Sequence, residues 1–493
     1  MKYDVIIIGS GLGGLECGYI LSKQGYNVCI LEKNPQLGGC LQTFRRGKMN
    51  FDTGFHYVGG LDEGQSLYRL FRYFQLLNLP WQRMDENGFA EIILKDKSYF
   101  FASGYEHFTE TLSRDFPHQD RQLKRYALFL KNVGENTLNN FTSQKENEFS
   151  VTSLFERSAY SFLQQTIDDP LLRNVLSGAS LTMELCAEKL PLYVFAQINS
   201  SFIQSAWRLK GGGSLIAREL AQSIRRMGGS VLTNAKVTQI VEQNGLVTGV
   251  QYNGEEQVEG KYVISDIHPA LTLALIPESR YIRKIYRKRI TDLPNTCGMF
   301  TTHLQLKPNK VAYRNRNIYL YKNQNPWDCG YSSDGKTSAA LFSYQPPESD
   351  GVFTDNIDVL TPMHWAEMAQ WADTSVGKRG KDYTDFKNRK AEECIGLALE
   401  TIPELNNNIE RFYTSTPLTY RDYTGTWEGS AYGMQKDYNH LLSTLLSVQT
   451  QLPNLFLTGQ NLNLHGILGV SITSFLSCAK ITGMETLIKD LNQ

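Results

Sequence analysis

The residues best placed to do chemistry come first in the chain. In GSGLGG, the residues Gly9, Gly11 and Gly14 fit G-x-G-x-x-G directly after the apolar run YDVIII, Tyr3 to Ile8. In that pattern Gly9 allows a tight turn, Gly11 lets the backbone approach a pyrophosphate, and Gly14 lets a helix pack closely on the strand. The helix is expected to run to Gln24, with Gly25 as its stop. Its N-terminus offers free N–H groups and the positive end of the helix dipole to a phosphate. A second strand, NVCILE from Asn27, ends in Glu32. Its carboxylate can accept hydrogen bonds from a ribose 2′-hydroxyl and would repel a 2′-phosphate. The glycine triplet alone says little. Strand, glycines, helix, strand and acid in register predict a bound dinucleotide. Gly9, Ser10, Gly11, Leu12, Gly13, Gly14, Glu32 and Lys33 are expected to hold it.

Four further stretches carry residues that could face such a cofactor. EKNPQLGGCLQTF places a second glycine pair, Gly38-Gly39, and then Thr43 just beyond Glu32. FDTGFHYVGG, residues 51–60, combines three glycines with Phe51, Phe55, His56 and Tyr57. Its glycines permit close backbone approach, its aromatics suit a flat apolar slot, and Asp52 reads as a turn former. WRLKGGGSLIARELAQSIRRMGG, Trp207 to Gly229, reads as a glycine turn leading into a helix, or simply as a loop before one. NLFLTGQNLNLHGILGVSITSFL reads as a strand ending at Thr458-Gly459, a turn with Gly466 and Gly469, and a long apolar helix.

The elements that position these residues follow from pattern. Between them, SVLTNAKVTQIVEQNGLVTGVQYNGEEQVEGKYVISD alternates apolar and polar residues, with Asn-Gly at 244–245 and 253–254 as hairpin turns. Helical spacing is seen in Leu67 to Leu77 and in Arg121 to Val133; QKENEF from Gln144 reads as a surface turn. HLQLKP at His303 and AALFSYQPP at Ala339 read as strands. TPMHWAEMAQWAD reads as a helix capped by Thr361 with Pro362 at its first position.

Bulk properties narrow the class. The chain has 493 residues, 41% hydrophobic and 20% charged, enough for a large core and more than one domain. Lys+Arg and Asp+Glu both number 50, which argues against a nucleic-acid binder. The 8 cysteines are scattered without a C-x-x-C, so neither a thiol redox pair nor a metal site is expected. No run reaches the roughly 18 apolar residues of a membrane span, and the first strand starts almost at Met1. The expected setting is therefore cytoplasmic. Residues 280–289, RYIRKIYRKR, read either as a solvated helix face or as peripheral contact with anionic lipid.

Three separated segments together resemble the phytoene desaturase and retinol saturase family: GSGLGG with LEKNPQLGGCLQTF and FDTGFHYVGG, LKGGGSLIARELAQSI with VISD, and LFLTGQNLNLHGILG. The glycine pair after Glu32 also resembles amine oxidases. The resemblance implies an α/β fold: a Rossmann-type FAD-binding domain, with a parallel sheet, helices and a β-meander, and a discontinuous α+β substrate domain. The implied division is 1–75, 205–290 and 439–493 for FAD, and 76–204 and 291–438 for substrate. It implies non-covalent FAD, held also by Gly38, Gly39, Thr43, Val237 (backbone to adenine), Gly459, Gln460, Gly466, Gly469 and Val470. The usual acid after Gly459 is replaced here by Gln460, whose amide can still bond a ribityl or pyrophosphate oxygen. It implies redox chemistry at a carbon–carbon bond of an apolar, conjugated, lipid-like substrate, in the saturating or desaturating direction. Tyr57 or His56 is expected to handle the proton, with Tyr432 and His465 also near flavin-facing turns. NADH or NADPH would be a transient donor, since no second fingerprint for a stationary nicotinamide is present. Two other readings stay open: an amine-oxidase-like flavoprotein, and a non-enzymatic prenyl carrier like the guanine-nucleotide dissociation inhibitors.

Overall fold

The computed structural model describes residues 2–47, 49–138, 149–328, 335–347 and 351–492. Of the expected turn QKENEF, residues 144–148 lie outside them.

The first strand, Lys2–Ile8, sits inside a seven-stranded sheet. Parallel neighbours are Val28–Leu31 on one side and Glu256–Ser265 on the other. Ser230–Leu232 extends one edge in parallel, and Leu455–Leu457 pairs in parallel with the end of Glu256–Ser265. Both sheet faces are buried, which explains why these runs are apolar throughout. Val5, Ile7, Val28 and Ile30 pack into one core while Ile6, Ile8, Cys29 and Leu31 pack into another. The fingerprint helix, Leu12–Lys23, lies against Ser214–Arg226 and the C-terminal helix Gly466–Thr482. The meander Val237–Gln243, Leu246–Tyr252, Glu256–Ser265 is antiparallel. Its turns have Asn244 at φ 53 and Gly245 at 82, then Asn253 at 50 and Gly254 at 93. Paired left-handed residues match the twist of the strands they join, as Asn-Gly predicts.

A second seven-stranded sheet runs Ile409–Ser415, Gly298–Leu306, Asn356–Met363, Ala339–Tyr344, Asn317–Tyr321, Ala90–Leu94, Lys97–Phe101. Helices that include Leu192–Gln204 and Asp120–Glu135 pack over it around the largest apolar core. A short antiparallel ladder joins Val58–Gly59 and Trp81–Arg83 to either side of Ala206–Leu209.

Two expectations are corrected. The helix expected to reach Leu77 is Ser66–Tyr73, because Gln75 turns left-handed at φ 59. Thr361 and Pro362 belong to a strand, with Pro362 opposite Met299. Proline is tolerated there because the pairing on its other side stops at Leu360. The helix starts only at Trp365, capped by His364 and Glu367 in a capping box.

Candidate active site

One cavity of about 660 Å³ runs from the glycine turns of the first sheet into the apolar core under the second. At the first end Gly9 turns left-handed at φ 96, and the helix beyond Gly11 starts with no side-chain cap. Its first two residues, Leu12 and Gly13, line the cavity. The loop is built for close approach: a Cβ on Gly14 would stand 2.2 Å from the Gly9 carbonyl oxygen, and one on Gly13 would stand 3.0 Å from the Gly459 nitrogen. The second glycine pair docks on the first. The Gly38 N–H donates to the Ser10 carbonyl at 2.9 Å, and a Cβ on Gly39 would lie 3.3 Å from Gly11 Cα. Glu32, 6% exposed, fixes the rim. Its Oε2 accepts the Ser10 N–H at 3.0 Å and the Ser10 hydroxyl at 2.6 Å, and its Oε1 accepts the Asn34 N–H at 2.8 Å. A carboxylate has further lone pairs, so Glu32 can still receive ribose hydroxyls.

Ser10, Leu12, Lys33, Val237, Gln460, Gly466 and Val470 also line this cavity, as do Gly9, Gly11, Gly13, Gly38, Gly39 and Gly459. Three expected residues stand off it. Gly14 is a packing glycine. A Cβ on Gly469 would meet the Leu464 carbonyl oxygen at 2.4 Å, so Gly469 shapes the helix start. Thr43 pairs with Asp52 across a hairpin, and its hydroxyl donates to Ser214 Oγ at 3.1 Å. Asp52 is no turn former. It ends the strand Met49–Asp52 and accepts the Gly213 N–H at 2.9 Å, latching the histidine segment to the second glycine loop.

Beyond the glycines the lining turns apolar and aromatic, with Tyr57, Phe202, Met299, Leu341, Leu360 and Tyr432 among its residues. The segment 54–59 passes along the junction between the two ends. Both ring nitrogens of His56 are enclosed and have no hydrogen-bond partner. Burial pushes its pKa down to about 4, against the pull of Asp358, so the imidazole is neutral. Tyr57 stacks on Phe202 at 4.1 Å and shares a 2.6 Å hydrogen bond with the Tyr319 hydroxyl. Burial pushes its phenol well above the usual range. Tyr432 and His465 also line the cavity, with rings 4.8 Å apart, but backbone carbonyls hold their polar atoms. Tyr432 donates to Leu181 at 2.9 Å, and His465 Nε2 lies 3.0 Å from the Thr182 carbonyl oxygen.

Sequence reading missed Asp266, which closes the run VISD. A Cβ on Gly11, Gly13 or Gly459 would come within 2.5, 2.6 and 2.6 Å of its oxygens. Burial raises its pKa to about 7, opposed by the Gly14 N–H and assisted by Glu32. An acid ending a strand beside the fingerprint, as Glu32 does, was the available signal. His303 was also missed. Its Nδ1 lies 2.6 Å from Asp358 and its Nε2 3.1 Å from Ser415 Oγ. The arrangement mimics a hydrolase triad, but none of the three lines the cavity, and the rings of Phe44 and Phe51 cover the histidine at 5.0 and 5.4 Å. This is a clamp between strands.

The family model of an NAD(P)-binding Rossmann-like domain matches residues 7–74. Among solved structures, cyclohexylamine oxidase from Brevibacterium oxydans shares the fold at a TM-score of 0.62 and 14% identity, covering 98% of this chain and 100% of that one. In class this is a flavoprotein-type oxidoreductase fold. All-trans-retinol 13,14-reductase of Rattus norvegicus is 28% identical over 99% of this chain and 87% of its own length. A 4,4′-diapophytoene desaturase of a Methylomonas species is 20% identical over 89% and 86%. Along most of its length the chain is similar to retinol 13,14-reductases and, at lower identity, to a diapophytoene desaturase and to prolycopene isomerases.

Proposed function

We propose that this protein is an FAD-dependent oxidoreductase that reduces a carbon–carbon double bond of an apolar, conjugated, isoprenoid-like substrate. The observation that carries the proposal is the single cavity joining a glycine-lined phosphate cradle to an apolar aromatic slot. An amine oxidase would share the cradle, but the relatives matched along the whole chain are named for polyene chemistry. A prenyl carrier would not need the uncapped helix and Glu32.

The residues present fit FAD. The uncapped helix start would hold the pyrophosphate, Glu32 the adenosine ribose, and Val237 the adenine edge. The second uncapped helix start, Gly466, lines the same cavity and would favour negative charge on a flavin held there. FAD held there would supply a two-electron hydride carrier, with NADH or NADPH as its transient electron donor. The protein orients the substrate, keeps water out and moves one proton. Tyr57 is the proton donor, and neutral His56 orients what enters beside it. The 1–75, 205–290 and 439–493 segments form the cofactor domain and the rest the substrate domain.

Among the described residues no helix is long and apolar enough to cross a membrane. Peripheral contact is proposed at the basic helix Lys284–Thr291, where Ile285 is 78% exposed and Leu442, beside Arg289, is 88% exposed.

The test is spectroscopic. Purified protein should carry a visible flavin band, bleach anaerobically with NADH or NADPH, and recover with all-trans-retinol. Absence of the band after FAD addition refutes the proposal. Tyr57→Phe and His56→Ala should keep FAD but slow recovery; wild-type recovery in both removes them from the chemistry.

A further inference from the structure

We infer that Arg208 is a positioning residue that supplies the counter-charge for a proton relay running from the cleft through Tyr57 and Tyr319. The inference rests on the reductase reading above. Arg208 is 1% exposed and does not touch the cavity. Its Nη2 donates to the Arg316 carbonyl at 2.9 Å and to Asn317 Oδ1 at 2.6 Å, while its Nε has no partner. Among the described residues it forms no ion pair with a carboxylate. A guanidinium taken out of water without an anion is costly, so its neighbours matter.

The titratable groups that its charge reaches are the phenols of Tyr313, Tyr319, Tyr57 and Tyr344 and the imidazole of His56, with the Tyr313 ring 6.0 Å from its guanidinium carbon. The strand register explains the placement. Val58 pairs with Trp207 and Gly59 with Ala206, so extending the antiparallel register by one sets Tyr57 opposite Arg208. Asn317 and Tyr319 share one face of the strand Asn317–Tyr321. The result is a file of groups in two bonded pairs: Tyr57 with Tyr319 beside the cavity, and Asn317 with Arg208 behind them, the Asn317 Nδ2 being buried without a partner. Burial raises both phenols, and Arg208 is among the groups that pull each back.

Reduction places a hydride on one alkene carbon and needs a proton on the other. The Tyr57 O–H bond breaks and a C–H bond forms at that second carbon, the O–H electron pair staying on oxygen. The Tyr57 phenolate then takes the Tyr319 proton along their 2.6 Å hydrogen bond. The negative charge moves one ring deeper, towards Asn317 and Arg208. The two electrons of the hydride come from the reduced flavin, recharged by the nicotinamide donor. Once product leaves, a solvent proton returns through the open cleft along the same file.

The test uses the full-length FAD-loaded protein, reduced with dithionite and mixed anaerobically with all-trans-retinol in stopped flow. Arg208→Met should slow flavin reoxidation on the order of 10²-fold, the usual contribution of one proton-transfer group. It should also raise the solvent isotope effect while FAD affinity stays unchanged. Arg208→Lys should restore most of the rate, and Arg208→Met with Tyr57→Phe should be no slower than Tyr57→Phe alone. Asn317→Leu, which interrupts the file and leaves Arg208 its Arg316 carbonyl, should slow the same step even if Arg208→Met folds poorly. Wild-type rates in Arg208→Met or in Asn317→Leu overturn the relay. So does a loss that lysine does not restore and that adds fully to Tyr57→Phe. If neither all-trans-retinol nor any other conjugated polyene reoxidises the wild type, the reductase reading falls and the relay with it; if the polyene that reoxidises the wild type reoxidises Arg208→Met normally, only the relay falls.

Discussion

Asp266→Asn should flatten the pH dependence of FAD binding. The Asp266 carboxyl lies among Gly11, Gly13, Gly14 and Gly459, where a pyrophosphate would approach. Burial raises its pKa from 3.8 to about 7; the Gly14 and Gly11 N–H groups oppose this and the Glu32 charge adds to it. An incoming pyrophosphate competes for those N–H groups and adds negative charge, so the bound state favours the protonated acid still more. Below about pH 7 the proton is already present and affinity is flat. Above it binding takes up a proton and Kd rises with pH, by up to about tenfold per unit. Folding responds in the same direction. Because the folded pKa is raised, the folded chain keeps a proton the unfolded chain has lost. Stability therefore falls as pH rises from 3.8 to about 7, by about 1.4 kcal/mol per unit and about 4 kcal/mol in all. Asparagine keeps the shape of the protonated acid and removes both slopes. The assay is fluorescence titration of FAD into apoprotein from about pH 6 to 9, with calorimetry in buffers of different ionisation heat to count protons. Glu32 and Cys40 also face Asp266, and Glu16, raised to about 8 by burial, titrates in the same range. Glu16→Gln is therefore the control, and its FAD slope should survive. Equal slopes in wild type and Asp266→Asn, or no proton uptake near pH 8, would refute the reasoning.

Glu32→Ala strips acceptors from the Ser10 and Asn34 N–H groups as well as from the ribose. At ~1–3 kcal/mol per orphaned donor it should weaken FAD at least tenfold by equilibrium dialysis; unchanged affinity contradicts the ribose role. Gly14→Ala would force a Cβ to 2.2 Å from the Gly9 carbonyl oxygen. It should lower thermal stability by about 1–3 kcal/mol and release FAD; a wild-type melting curve with full FAD would count against the loop geometry. Glu16, sealed between the fingerprint and C-terminal helices, accepts the Ser471 hydroxyl at 2.6 Å with one oxygen and has no partner for the other. Its pKa is raised from 4.5 to about 8, so wild-type stability should fall across that window. Glu16→Gln should remove the slope in urea titrations; parallel pH profiles would refute it. Ile285→Glu with Leu442→Glu should abolish co-flotation with anionic vesicles without changing the flavin spectrum, and retained flotation removes that patch from membrane contact.

The local rules of the chain were legible in its residues alone. The glycine fingerprint, Glu32 at the end of its strand and both Asn-Gly turns depend on backbone freedom and periodicity within a few residues. So does the continuous apolar run of a strand covered on both faces. Errors arose where a local signal had a distant competitor. Thr361-Pro362 suggested a helix start, but pairing with Gly298–Leu306 drew both residues into a sheet. Asp52 suggested a turn, but a hydrogen bond to Gly213 made it a latch across the chain. FDTGFHYVGG announced an aromatic wall, and only folding showed that its two candidate groups differ: His56 has unpartnered nitrogens, while Tyr57 bonds Tyr319. Tertiary structure alone set Asp266 among glycines from both ends of the sequence, and Arg208 behind Tyr57. Such placements depend on strand register between remote segments, and no periodicity in either segment encodes its partner.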